Sequence, residues 1–374
     1  MELKKRNVLL LAASEHDSNM LYASGFRAPD PFVFAAMAGR THCLVSPLEY
    51  ERARKESRAD EVINTAEIRT AGKKRSLATV FAAFARSFKV RRFEVPADFP
   101  LAAADELRRR RIRLTTHAVP FFPERMVKSE AEITDMKCII RATCKAVRAL
   151  EHVLEEAGID QRKRLTHKGR LLTSEKLKSI VQVALAAEGA VSGSPIVAGG
   201  DQACDPHCSG YGVLRAHQPI VVDIFPRSNL TGFHGDITRT FIKGRPSPEQ
   251  QKLYRTVRTA QRMALEMVKP RIRAATIHKA VAAYFIDQGF QTITRGDTLQ
   301  GFIHSTGHGL GLDIHEAPGV SSMSKHIFRI GNVITIEPGL YYPGIGGVRI
   351  EDDVVVTPDG CEVLTKYRKR FMIE

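Results

Sequence analysis

The chain lacks any apolar stretch approaching the roughly 18 residues that a membrane-spanning helix requires, so no membrane partner is expected. Near its start, Val8–Ala13 is an apolar run of six residues, shorter than the roughly 7–15 of a secretory signal core; it reads as a first β-strand. Cysteine is scarce as well. Cys43, Cys138, Cys144, Cys204, Cys208 and Cys361 are six in 374 residues, too sparse for a disulfide framework and in keeping with a reducing, cytoplasmic setting. The segment Cys204-Asp-Pro-His207-Cys208 has the composition of a zinc site, but no second pair lies near it in sequence to complete one. Nor is there an acidic excess, since 56 Lys and Arg stand against 41 Asp and Glu, a formal charge of +15. That charge is spread along the chain: residues 1–127 carry an excess of eight and the remainder seven. The densest patch, Arg108–Arg111, follows the helical pattern Ala102–Leu107 and reads as the cationic end of a helix. It has no aromatic interleaving and belongs to no recognised module, so nucleic acid is left out of the expected partners.

What is present is enough for two soluble domains. A chain of 374 residues with 43% hydrophobic and 26% charged residues is too long for one ordinary core. Residues 1–125 alternate short apolar runs, such as Val8–Ala13 and Cys43–Ser46, with helical spacings such as Leu77, Val80, Phe81, Phe84 and Phe88. This is the pattern of a small α/β domain. A break at Val119–Pro123 sets it apart from residues 126–374. There, Ser129 and Glu132 form a capping box before a long amphipathic pattern running to Leu154. A second helix is expected over Leu172–Ala187, followed by the Gly-rich segment Ser192–Gly200. The order then repeats: Ser247, Pro248 and Gln250 open a helix, and another is expected from Thr276 to near Gly289.

Each half ends in a strand pattern carrying two acids. Ile220–Phe225 contains Asp223, and Asp236 follows 13 residues later; Glu337 and Glu351 are separated by 14. A carboxylate inside an apolar strand run is costly unless paired or bound to metal. Between the last helix and the second acidic pair lies Ile303–Glu316, IHSTGHGLGLDIHE. Its three histidines sit among glycines that allow close backbone approach. Asp223, Asp236, His308, Glu337 and Glu351 thus form an oxygen-rich set with one imidazole, suited to divalent Mn, Co or Zn.

With Asp223, GDITRT (Gly235–Thr240), TGHGLGLDIHE (Thr306–Glu316), IEPGLY (Ile336–Tyr341) and GVRIEDDVVV (Gly347–Val356), the chain resembles the pita-bread metallopeptidase family. That family includes Xaa-Pro aminopeptidases, prolidases, methionine aminopeptidases and creatinases. The resemblance implies an α+β fold, a duplicated pita-bread catalytic domain preceded by a smaller α/β creatinase-type N-terminal domain, which favours the proline-directed branch. It implies that Asp223 chelates a first metal, that Asp236 and Glu351 bridge, and that His308 and Glu337 complete a second. His304, His207 and Arg349 are then expected to bind substrate, with His315 beside the metal cage. The family commonly shows Asp-x-Gly and a spacing of eleven between its aspartates. Here Asp223-Ile-Phe225 and a spacing of thirteen point to a reshaped first hairpin around Pro226–Leu230.

The expected activity is release of the N-terminal residue from Xaa-Pro peptides or dipeptides by a hydroxide bridging two divalent ions, Mn foremost. Glu337 would move the proton to the leaving nitrogen, His315 would donate to the oxyanion, and His207 would hold the substrate. A homodimer is admitted. The alternatives are a non-catalytic peptide- or protein-binding module of the same fold, and a creatinase-type C–N hydrolase. Retention of all five ligands argues against both.

Overall fold

A computed structural model describes residues 5–70, 75–117, 120–296 and 298–374; Val119, the first residue of the expected break, lies outside them. The chain divides into two compact units, Met1–Arg125 and Met126–Glu374. No helix among the described residues is long and apolar enough to cross a membrane.

In the first unit, strands β1 (Val8–Ala12), β2 (Phe32–Met37), β3 (Arg40–Val45), β4 (Glu61–Asn64), β5 (Arg92–Val95) and β6 (Arg113–Thr116) form one sheet in the order β4-β3-β2-β1-β5-β6. Strands β1, β5 and β6 run parallel, so each connection must cross over a face. Helix α1 (Ser18–Ser24) lies between the antiparallel β1 and β2, whereas α2 (Tyr50–Glu56), α3 (Leu77–Ser87) and α4 (Leu101–Arg109) lie in the connections that lead into the parallel strands β4, β5 and β6. Both faces of the sheet are therefore buried, and β2 has no exposed residue, as expected for a strand covered on both sides. The arginine run begins in the last turn of α4 and continues past its end, with Arg110 as the C-cap and Arg111 at a positive φ of 64°.

The second unit is built from two helix–helix–sheet halves. Helix α5 (Glu130–Glu156) begins at the expected capping box: Ser129 Oγ accepts from Glu132 N and Glu132 Oε2 accepts from Ser129 N. It packs with α6 (Ser174–Ala187), whose N-cap Thr173 places the start two residues beyond the expected Leu172. Helix α7 (Pro248–Met267) has the second capping box, Ser247 with Gln250, and packs with α8 (Ala274–Asp287). Helix α8 starts two residues before the expected Thr276, with no side-chain cap to mark it.

The first half supplies the strands Ile196–Gly199, Pro219–Ile224 and Ile237–Lys243, joined at the edge by Met372–Ile373. In the second half, Glu316–Val320, Gly307–Gly309, Val333–Ile336, Asp352–Thr357 and Gly360–Val363 lie side by side. The centre of each sheet is an antiparallel pair with acids at or beside its ends. Asp223 is the penultimate residue of Pro219–Ile224, and Asp236 immediately precedes Ile237–Lys243. Glu337 follows Val333–Ile336, and Glu351 precedes Asp352–Thr357. Between Glu337 and Glu351 the chain makes a separate hairpin, Gly339–Tyr342 with Gly346–Arg349. Residues after Phe225 leave the first sheet, and Arg227–Ser228 pairs instead with Ala190–Val191.

Candidate metal centre and substrate cavity

Glycine is what allows the histidine strand into the sheet. A Cβ at Gly307 would collide with the Thr335 carbonyl oxygen, and one at Gly309 would come 2.5 Å from the Ala317 carbonyl carbon. This close approach places His308 above the end of the central strand pair. His308 N donates to Thr335 Oγ1 (3.2 Å), and Glu337 N donates to the Thr306 carbonyl (2.7 Å).

Asp223, Asp236, His308, Glu337 and Glu351 line one cavity of about 720 Å³, together with His207, His304, His315 and Arg349. Among the described residues, Asp236, His308 and Glu351 present ligand atoms that all lie within 4.8 Å of one another. The His308 Nδ1 proton is directed at the Gly309 carbonyl (3.1 Å), which leaves the lone pair of Nε2 facing the cavity. That nitrogen is 3.7 Å from Asp236 Oδ2 and 3.5 Å from Glu337 Oε1. Electron-rich atoms this close repel unless a cation or a proton lies among them. The ring is a poor source of the proton, because burial, aided by His315, lowers its pKa to about 3.

The carboxyls show the same excess of negative charge. Burial, then Glu351 and Asp223, push Asp236 well above the ordinary carboxylate range. Burial, then Glu337 and Asp223, do the same to Glu351. Burial raises Glu337 to about 8, with the Arg349 charge opposing it. Asp223 Oδ1 and Asp236 Oδ1 are buried without a hydrogen-bond partner. Orphaned buried oxygens, a lone-pair imidazole and clustered carboxyls are the donor chemistry that divalent cations satisfy.

Around these groups, protein contacts fix orientation. Thr238 Oγ1 donates to Glu351 Oε2 (2.7 Å), and Glu351 N donates to the Thr238 carbonyl (3.1 Å). Asp236 N donates to Asp353 Oδ2 (3.0 Å). Asp353 was not expected at the site, although its spacing of two from Glu351 is the same-face period of a strand.

Two of the residues expected to bind substrate, Arg349 and His304, line the cavity and are also held by protein contacts. Arg349 was expected to bind substrate, but its guanidinium is only 3% exposed and is engaged by the protein. It donates to Asp223 Oδ2 (2.6 Å), Tyr341 OH (2.7 Å), Thr238 Oγ1 (3.2 Å) and the Pro206 carbonyl (3.4 Å). His304 was also expected to bind substrate, yet its Nδ1 is paired with the Ser305 carbonyl (2.7 Å) and its Nε2 with Tyr341 OH (2.8 Å). With both nitrogens occupied, it offers the cavity a ring surface. Burial, then the Arg349 charge, lower its pKa to about 3, so the ring is neutral. Tyr341, fully buried between these two residues, carried no role in the sequence reading; a phenol in the buried run of Gly339–Tyr342 was the available signal.

His207 and His315 do face the cavity. His315 stands edge-on to His308, with ring centroids 4.4 Å apart, and burial lowers its pKa. The remaining wall is apolar, formed by Ile196, Pro206, Phe225, Ile303 and Ile314. Phe225 packs against the cluster of Ile196, Ala198, Ala203 and Val221, so the departure from the family pattern places an aromatic ring at the cavity.

Residues 134–358 match metallopeptidase family M24. The Xaa-Pro dipeptidase of Pyrococcus furiosus is 37% identical over 179 residues, 47% of this chain and 48% of that protein. The chain thus spans about half the length of this curated relative. Among solved structures, the prolidase from Pyrococcus furiosus is 26% identical with a TM-score of 0.79, covering 97% of both chains. The Xaa-Pro dipeptidase from Bacillus anthracis is 25% identical with a TM-score of 0.83, covering 99% of this chain and 95% of that one.

Proposed function

Because the chain belongs to metallopeptidase family M24, we propose that it is a metal-dependent peptidase that hydrolyses Xaa-Pro dipeptides, releasing the first residue and proline. The observation that carries this reading is the lone pair of His308 Nε2 confronting the Asp236 and Glu337 carboxyl oxygens in a cavity with an apolar wall. Asp223, Asp236, His308, Glu337 and Glu351 would hold two divalent ions, Mn, Co or Zn, whose chemistry is to acidify water and polarise a carbonyl.

The protein's own groups do the rest. Glu337, buried and facing the cavity, accepts a proton from the attacking water and delivers it to the departing proline nitrogen. His315 donates to the carbonyl oxygen as negative charge develops there, and His207 holds the substrate from the loop opposite. Arg349 holds the Asp223 carboxylate in place through their 2.6 Å ion pair, acting on the substrate only through that carboxylate. His304, neutral and saturated by Tyr341 and Ser305, shapes the wall.

The substrate class follows from the wall. A proline after the scissile bond removes its amide hydrogen and fixes φ near −65°, so a site for it needs shape more than a backbone acceptor. Ile196, Phe225, Ile303 and Ile314 supply an apolar surface for the ring or for an apolar first side chain. The test is turnover by the Mn-loaded protein of Leu-Pro, Leu-Pro-Gly, Met-Ala and creatine. Fastest cleavage of Leu-Pro is expected. Faster cleavage of Leu-Pro-Gly would replace the dipeptidase reading with an aminopeptidase. Equal or faster cleavage of Met-Ala would remove proline specificity, and turnover of creatine alone would reject peptide hydrolysis.

A further inference from the structure

The first unit has a cavity of its own, about 690 Å³, lined by Arg86, Lys89, Arg91, Arg110 and Arg111 over an apolar floor that includes Val90 and Ile112. It lies where α3 and α4 end and where β5 and β6 begin. Helix C-termini attract cations, and that is the ordinary explanation for such a cluster. The two helix ends, however, contribute only about half a negative charge each. The lining side chains include no carboxylate. Glu106 reaches Arg110 from the preceding turn (3.4 Å), but it is shared with Ser76 and Thr79. Five cations against one carboxylate and two helix ends leave about three positive charges unneutralised.

Among the described residues, Arg86, Lys89, Arg91 and Arg111 have no side-chain hydrogen bond, ion pair or ring partner. A concave surface concentrates the field of such charges, and this cavity is of the size that takes a small ligand.

We propose that this cavity binds a compact phosphate anion carrying about three or more negative charges, of the polyphosphate class. Guanidinium groups dominate the lining, and their planar donor forks match phosphate oxygens. No aromatic side chain lines the cavity, so nothing there would stack on a nucleobase, and the charge-dense phosphate group is the part that would be recognised. The site is independent of the peptidase reading, because none of its residues is assigned to hydrolysis.

The experiment is calorimetric titration of the full-length protein with sodium tripolyphosphate at low and at physiological salt. Saturable binding at one site per chain is expected, weakening as salt rises. R91A/R111A should lower the affinity by about tenfold or more, whereas R255A/R258A, an exposed pair on α7, should change it by less than about twofold. Thermal unfolding and Xaa-Pro turnover report whether the variants fold. If R91A/R111A does not fold, the single variant K89A should still weaken binding by about threefold. Non-saturating binding, equal losses in the two double variants, or tighter binding of a single-stranded oligonucleotide than of tripolyphosphate would each overturn the proposal.

Discussion

Replacing Thr238 by Val tests whether the metal centre depends on groups that never touch a metal. Thr238 is fully buried, and its hydroxyl has two partners: it donates to Glu351 Oε2 at 2.7 Å and accepts from Arg349 Nε at 3.2 Å. Valine keeps the shape and removes both. The bond to Glu351 has a charged acceptor once metal displaces the carboxyl proton, and such bonds contribute about 1.5–3 kcal/mol. Arg349 Nε would then be left buried and unpaired, at about 1–3 kcal/mol more. Part of this loss appears as lower stability, and part as a carboxylate no longer held toward the cavity. Metal affinity should therefore fall by about 10–100-fold, the range found when an outer hydrogen-bond partner of a metal ligand is removed. The assay is calorimetric titration of the metal-free protein with Mn, followed by kcat/KM at saturating metal. Thr238→Ser restores the hydroxyl and should recover most of the affinity. Wild-type metal affinity in T238V would refute the argument that this hydroxyl orients Glu351.

Other perturbations separate the remaining roles. His308→Ala should lower the metal content of the purified protein, whereas His315→Ala should keep the metals and lose turnover by about 100-fold or more; metal analysis showing the reverse would exchange the two assignments. The metal-free protein should lose stability as pH rises. Glu337 has a folded pKa of about 8 against an ordinary 4.5, so the folded state holds the extra proton between those values, and its contribution is complete below 4.5 and lost as pH rises through 8. The expected slope is about 1.4 kcal/mol per pH unit for each such proton, read from urea unfolding, and Mn should abolish the decline by replacing protons with cations. A metal-free stability that rises over this window would contradict the clustered-carboxyl reading. Phe225→Ala should lower kcat/KM for Leu-Pro by a factor of about 5–150 more than for Gly-Pro, because an apolar contact with a side chain amounts to about 1–3 kcal/mol; equal losses would place the first residue elsewhere.

What the sequence made legible depended on how local each signal was. The starts of α5 and α7 are written in four consecutive residues each, Ser129–Glu132 and Ser247–Gln250, because a capping box closes within one turn. The start of α8 was misplaced because Arg273 makes no side-chain cap. The acids of the cavity could be found because carboxylates in apolar strands are improbable without a partner, and the same rule bears on Arg349. A buried arginine also demands a counter-charge, but composition does not say which of four acids will meet it. Asp223 is the acid that meets it, at 2.6 Å. Gly339 lies opposite Arg349 and Gly347 opposite Tyr341, and a Cβ at Gly339 would stand 2.5 Å from the Tyr341 hydroxyl and 3.0 Å from His304 Nε2. Absent side chains at these two positions make room for the phenol to join Arg349 to His304. The segment after Phe225 is illegible for a related reason: Arg227–Ser228 pairs over two residues with Ala190–Val191, far away in sequence, and a two-residue strand has no periodicity to detect. That segment follows Phe225, whose ring forms part of the apolar wall to which the proposed substrate preference is assigned. The four proposed carboxylate ligands sit at or beside the ends of regular strands, where the pattern is read easily, and the residue proposed to set specificity, Phe225, sits where the pattern stops.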